Sequence, residues 1–238
     1  MVEVGPGPGG LTRALLAAGA ARVVAIERDP RFVAHLRTLE IEAEGRLRVI
    51  EADALTVDPS DWAEGAPVRI VANLPYNVAT PLLFGWLDRL DAIDLMVLMF
   101  QKEVALRLVA PPGGADYGRL AVMAQLLCRV ERLFDLPPAA FTPPPKVSSS
   151  VVRLTPRPDR PPLELSRAVA AVARAAFGQR RKMLRASLRG LGDPAPLLAA
   201  ASIDDSRRAE TLSVAEFLAL AGPYLARHPG LASSGSRS

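Results

Sequence analysis

Six consecutive residues, Gly5-Pro6-Gly7-Pro8-Gly9-Gly10, suit neither a helix interior nor a strand, because glycine is too free and proline lacks a donor. They stand between the apolar Val2 to Val4 and the helix-patterned Leu11 to Leu16. A strand, a glycine turn and a helix in that order begin a βαβ unit. The pattern repeats along the chain. Arg22 to Ile26 is a second apolar strand closed by Glu27-Arg28-Asp29, and Pro30 opens a helix whose buried face is Phe32, Val33, Leu36 and Leu39. Leu47 to Ile50 precedes Glu51-Ala52-Asp53, and Val68 to Ala72 precedes Asn73. Ile93 to Phe100 leads into a helix from Gln101 to Val109. After the break at Pro111-Pro112-Gly113-Gly114, Leu120 to Cys128 reads as a sixth strand. Val147 to Leu154 alternates as a sheet edge or hairpin strand would. Strands alternating with helices predict an α/β fold with a mostly parallel sheet covered on both faces, and ligands at the carboxyl ends of its strands.

The second part differs in composition. Thr155 to Pro162 holds four prolines in eight residues, a stiff linker. Beyond it, Leu163 to Phe177, the basic Arg180 to Leu188, Pro194 to Ala201 and Val214 to Ala226 are helical in pattern, and His228 to Ser238 reads as a disordered Gly/Ser tail. The expected domains are residues 1–156, residues 157–227 and the tail 228–238. Charge follows the same division: residues 1–156 hold 16 Lys/Arg against 18 Asp/Glu, and residues 157–238 hold 13 against 7. A basic second part on a near-neutral first suits contact with phosphate. No apolar run reaches the roughly 18 residues of a membrane helix, and the start carries no signal-peptide pattern. The single Cys128 is expected in the core, which favours the cytoplasm. His35 and His228 lack partners at ligand spacing, so no metal site is expected.

The glycine stretch fits two templates. Gly5, Gly7 and Gly10 have the dinucleotide spacing G-x-G-x-x-G, with Glu27 placed to bind a ribose. Glu3, Gly5, Gly7 and Gly9 also make the E-x-G-x-G-x-G of nucleoside-binding methyltransferases. Pro6 and Pro8 lack the N–H donors that a pyrophosphate would want, whereas S-adenosylmethionine has no phosphate. Acidic strand ends add to the second reading: Glu27 suits both ribose hydroxyls, Asp53 suits the adenine amine, and Ala54 lies beside the ring. Asn73-Leu74-Pro75-Tyr76 then supplies an amide, a stiffening proline and an aromatic ring. If the Asn73 oxygen and the Leu74 carbonyl accept the protons of an adenine amine, its lone pair becomes free to attack, and Tyr76 stacks on the base.

Together, Glu3 to Gly9, Glu27, Asp53-Ala54 and Asn73 to Tyr76 resemble the motifs of the ribosomal RNA adenine dimethyltransferases, nearest to the bacterial small-subunit branch of kasugamycin-resistance type. Phe141-Thr142-Pro143-Pro144-Pro145-Lys146-Val147 with Ser149 is similar to the family's F-x-P-x-P-K-V-x-S segment. Gln101 to Ala105, Tyr117 to Leu120 and Phe177 to Lys182 match further segments. The resemblance implies a Rossmann-like class I methyltransferase sheet with a small helical C-terminal domain. It implies two methyl transfers from S-adenosylmethionine to each of two adjacent adenines near the 3′ end of small-subunit rRNA, in a pre-ribosomal particle, by a monomer. Phe141 would face Tyr76 across the flipped base. Lys146 would hold a phosphate, and Arg180, Arg181, Lys182, Arg185 and Arg189 would grip the rRNA backbone. The family carries several tens of residues before the glycine motif, including Q-N-F-L, so these 238 residues alone are expected to bind the cofactor weakly. Three rivals stand beside this reading: a large-subunit adenine methyltransferase, usually with Ile at position 74; a non-catalytic ribosome-assembly or transcription factor; and a dehydrogenase.

Overall fold

Val23–Glu27 is buried at every position, as a strand covered on both faces must be. It is β2 of a seven-stranded sheet in the order β3-β2-β1-β4-β5-β7-β6. The others are β1 (Val2–Val4), β3 (Leu47–Glu51), β4 (Val68–Asn73), β5 (Ile93–Gln101), β6 (Cys128–Leu136) and β7 (Ser149–Pro156). The computed structural model describes residues 1–58, 61, 67–179 and 181–229. β1 to β5 are mutually parallel, and β7 runs antiparallel to β5, with Ser149 opposite Gln101 and Val151 opposite Met99. Strand order reverses at β1, with β2 on one side and β4 on the other. In open α/β sheets such a reversal opens a crevice at the carboxyl ends of the strands.

The chain divides into two compact units, residues 1–105 with 131–156, and residues 106–130 with 157 onward. In the first, α1 (Gly10–Ala17) and α2 (Pro30–Glu42) cover β2 and β3 through Leu16, Val33, Leu36 and Leu39, which pack with Val23, Ala25, Leu47 and Val49. Asp29 caps α2 by accepting the Arg31 N–H, with Pro30 at the first helical position. Phe32 lies off the buried stripe and is exposed, since it is one residue ahead of Val33 on the helix. α3 (Tyr76–Leu87) follows β4, and α4 (Lys102–Val109) follows β5.

The second unit holds α5 (Arg119–Leu127), α6 (Leu163–Gly178), α7 (Leu184–Ser187), α8 (Ala195–Ala200) and α9 (Val214–Arg227). Ala168, Val169, Val172, Ala173 and Ala176 bury one face of α6 completely, and the Phe177 ring stacks on Phe217 of α9 at 5.6 Å. A reciprocal capping box between Ser213 and Glu216 starts α9.

Four expectations are corrected. Residues 120–127 are helix α5, because a short, wholly apolar run cannot be told from a strand by period, and Leu, Ala, Met and Gln are good helix formers. The strand is the following Cys128–Leu136, whose charged, exposed residues suit a sheet edge. β7, read as an edge, is interior between β5 and β6. The basic helix shrinks to the four residues of α7, because Met183 is extended and bridges to Arg208, while the Leu184 N–H donates to the Arg207 carbonyl. Finally, residues 106–130, which end in the first residues of β6, group with residues 157 onward rather than with residues 1–105. Of the expected tail, residues 230–238 lie outside the described residues.

Candidate active site

Glu27 closes β2 with a carboxylate held by three backbone donors. Its Oε1 accepts the N–H groups of Arg28 and Asp29, both at 2.8 Å, and its Oε2 accepts the Gly7 N–H at 3.0 Å. A carboxylate offers about four acceptor positions, so one remains, on Oε2. The same contact fixes the glycine turn. Gly5, Gly7 and Gly9 all have positive φ, and a Cβ at Gly5 would lie 3.7 Å from the Pro75 ring. The turn therefore passes against the Asn73-Leu74-Pro75-Tyr76 segment. Next to Glu27, Asp53 accepts the Leu55 N–H at 3.0 Å and pairs with Arg28 at 3.3 Å. These bonds, the backbone one first, hold its carboxyl below the usual range.

Gly5, Glu27, Arg28, Asp53, Ala54, Pro75 and Val78 are among the residues lining a hollow of about 140 Å³. A second hollow is lined by Asn73, Leu74, Pro75, Tyr76, Met99, Phe141, Pro143 and Pro145. Pro75 belongs to both walls, so the two adjoin there.

The strand-to-helix turn explains the placement. Asn73 ends β4, opposite Met99 of β5, and its side chain is exposed, while the Leu74 side chain is buried. Pro75 is extended, and its carbonyl accepts the first N–H groups of α3, from Val78 and Ala79. Tyr76 is thus the first helical residue, 36% exposed, with its ring at the mouth of the hollow. Phe141 follows a short 3-10 turn over Pro138–Ala140 and is half-buried.

Not every expected residue reaches these hollows. Glu3 does not: it is 1% exposed, neither carboxylate oxygen has a hydrogen-bond partner among the described residues, and Glu3 lines neither cavity. Burial pushes its carboxyl up to about 7, opposed by the nearby Thr12 hydroxyl and reinforced by the charge of Glu27. Gly9 acts as the first residue of the α1 cap, where a Cβ would meet Leu36 at 3.0 Å. Lys146 is exposed outside the second hollow. In the other unit, Arg181, Lys182, Arg185 and Arg189 are all exposed, Arg185 pairing with Asp205 at 3.5 Å, and Arg180 lies outside the described residues. Sequence reasoning missed Arg28, Val78 and Met99, which carry no motif signal, and Arg208, which the bridge to Met183 brings beside the basic run.

A reversing parallel sheet with a glycine turn, acidic strand ends and an adjoining aromatic hollow defines a Rossmann-like methyltransferase. Solved structures agree on this class. The chain is similar to a dimethyladenosine transferase from Plasmodium falciparum, with TM-score 0.73 and 26% identity over 97% of this chain and 90% of that one. It is also similar to the 23S rRNA methyltransferase ErmE, with TM-score 0.65 and 27% identity over 93% and 88%. The family described as ribosomal RNA adenine dimethylase matches residues 1–224, and the chain belongs to it. It is 59% identical over 223 residues to the Ribosomal RNA small subunit methyltransferase A of Rhodospirillum rubrum, covering 93% of this chain and 76% of that protein. The Rhodopseudomonas palustris protein of the same name is 56% identical over 226 residues, covering 93% and 78%.

Proposed function

We propose that this chain dimethylates the exocyclic nitrogens of two adjacent adenines near the 3′ end of small-subunit rRNA, using S-adenosylmethionine. The single observation that carries the proposal is the junction at Pro75, where a hollow with Glu27 and Asp53 adjoins one with Asn73, Tyr76 and Phe141. A nucleoside cofactor and an unstacked base can meet there. The 59% identity to the Rhodospirillum rubrum small-subunit protein against 27% to ErmE, and Leu rather than Ile at position 74, favour the small subunit.

The residues present fit the cofactor. The remaining acceptor position on Glu27 Oε2 would take one ribose hydroxyl, and holding both would require the Gly7 N–H to give way. Asp53 and Ala54 would hold the adenine, Asp53 accepting its amine beside or in place of Arg28. When bound, S-adenosylmethionine supplies an electrophilic methyl group on positively charged sulfur. The chain does the rest by placement. In the first transfer Asn73 Oδ1 and the Leu74 carbonyl accept hydrogen bonds from the two amine N–H groups, so nitrogen pyramidalises and its lone pair is freed to attack; in the second, one N–H remains and one of these oxygens accepts it. Pro75 stiffens that turn, and Tyr76 and Phe141 enclose the flipped base. No general base is needed, because a methylated ammonium of this kind loses its proton readily. The acceleration comes from positioning, a source worth up to about 7–11 kcal/mol in favourable cases.

Lys146 takes a phosphate of the flipped nucleotide. Residues 157–227 dock on the rRNA of a pre-ribosomal particle through Arg181, Lys182, Arg185 and Arg189, the chain acting as a cytoplasmic monomer; Arg180 belongs to the same proposed set. Asn73→Ala tests the proposal. It should lower methylation of small-subunit rRNA at least about 100-fold, by analogy with loss of one transition-state hydrogen bond, while rRNA affinity stays within about twofold. A variant as fast as its parent would overturn the proposal. A parent that binds rRNA but transfers no methyl group would favour a non-catalytic factor.

A further inference from the structure

The phenol oxygen of Tyr76 lies 2.8 Å from Ser149 Oγ, across 73 residues of chain. Tyr76 begins α3, its N-cap Pro75 offers no side-chain bond, and its ring is one-third exposed. A platform of that kind stacks a base well only if something fixes its plane. Ser149 is suited to do so. It is fully buried at the start of β7, its register is set by Gln101 opposite, and the adjacent Ser148 carbonyl accepts the Lys102 N–H at 2.9 Å.

Side chains alternate along a strand, so Ser150 points away from Ser149. Its hydroxyl donates to Asp135 at 2.7 Å, and Asp135 also receives Lys102 Nζ at 2.8 Å and Arg132 at 2.6 Å. The start of β7 is therefore anchored on the face opposite Tyr76. Across the same strands, Asn73 stands opposite Met99, and Met99 opposite Val151, two residues beyond Ser149. One strand ladder thus connects the amide expected to bind the amine with the hydroxyl holding the ring.

We propose that Ser149 is a positioning residue of the methyl-transfer site. Its hydroxyl fixes the plane of the Tyr76 ring without touching the base. The inference rests on the proposed function and adds a residue to that site. It predicts an asymmetry. Ser149→Ala leaves a Tyr76 hydroxyl whose ring already reaches water, whereas Tyr76→Phe leaves a fully buried serine hydroxyl without its partner, the costlier defect.

The test is a double-mutant cycle of Ser149→Ala and Tyr76→Phe, with Ser149→Thr as the conservative variant. Ser149→Ala should lower kcat for rRNA methylation about five- to tenfold, the worth of one net hydrogen bond. The KM for S-adenosylmethionine and the Tm should stay unchanged, the double variant should be no slower than the worse single one, and Ser149→Thr should recover the rate. A second readout needs no turnover: 2-aminopurine at the target position of an rRNA fragment should be quenched less by Ser149→Ala than by the parent. Equal quenching, a parental kcat in Ser149→Ala, or multiplicative effects in the cycle would each overturn the inference. So would a parallel fall of Tm and cofactor affinity, which marks a purely structural role. If Asn73→Ala is inactive while Ser149→Ala is not slowed, only the role of Ser149 is lost; if Asn73→Ala keeps the parental rate, the proposed function falls as well.

Discussion

Glu3 is a carboxyl withdrawn from water, with the Thr12 hydroxyl nearby but no full hydrogen bond to either oxygen among the described residues. Its ordinary value of 4.5 rises to about 7 in the fold, so the native state holds a proton that the unfolded chain releases between those values. Stability from this group is complete below pH 4.5 and lost as pH rises through about 7, by up to about 3 kcal/mol. Glu3→Gln, neutral at every pH, should therefore unfold at higher temperature than the parent at pH 8 and much like it at pH 5. Calorimetric melts across that range check this, and a constant gap would contradict it. Glu27, by contrast, accepts three backbone hydrogen bonds and so ties the glycine turn to the end of β2. Replacing it with Ala should loosen the glycine turn and weaken S-adenosylmethionine binding at least about tenfold by titration calorimetry, the loss of one charge-assisted bond or more.

At the scale of elements, the turn into α1 leaves little freedom. Gly9 has φ +83°, and a Cβ there would press on Leu36 at 3.0 Å. Gly9→Ala should destabilise the protein by about 1–3 kcal/mol in urea unfolding, and a value near zero would show that the turn can relax. The first two βα units were legible in the sequence because β1 and β2 are each followed by a turn and a periodic helix, and β2, β3 and β4 each end in a polar residue. Legibility failed where period carries no information. Residues 120–127 are apolar at nearly every position, so helix and strand look alike, and β6 hides its strand character under Arg129, Arg132 and Asp135. Glu27, Asp53 and Asn73, which line these hollows, carried a motif signal because they lie at or just after strand ends. The burial of Glu3, the placing of Arg28 and the Tyr76–Ser149 bond depend on packing between distant segments, which spacing along one chain does not encode.

At the scale of the whole molecule, the proposed chemistry and the proposed docking fall to different parts of the chain. Arg181, Lys182, Arg185 and Arg189 all belong to the helical unit, and the hollows to the sheet unit. Removing Arg181 and Arg189 together should reduce the slope of log affinity against log salt by about 0.7–0.9 per lost phosphate contact. Filter binding across a salt series reads that slope, and an unchanged slope would remove these residues from the interface. Methyl transfer to a short fragment bearing the target adenines should suffer less than transfer to whole small-subunit particles. The most direct measurement of the central claim is mass spectrometry of the 3′ fragment of small-subunit rRNA. Particles from cells lacking the gene would be incubated with this protein and S-adenosylmethionine. Dimethylation of two adjacent adenines, absent with Asn73→Ala, is the predicted result; methylation of some other base, or equal methylation by parent and variant, would contradict it.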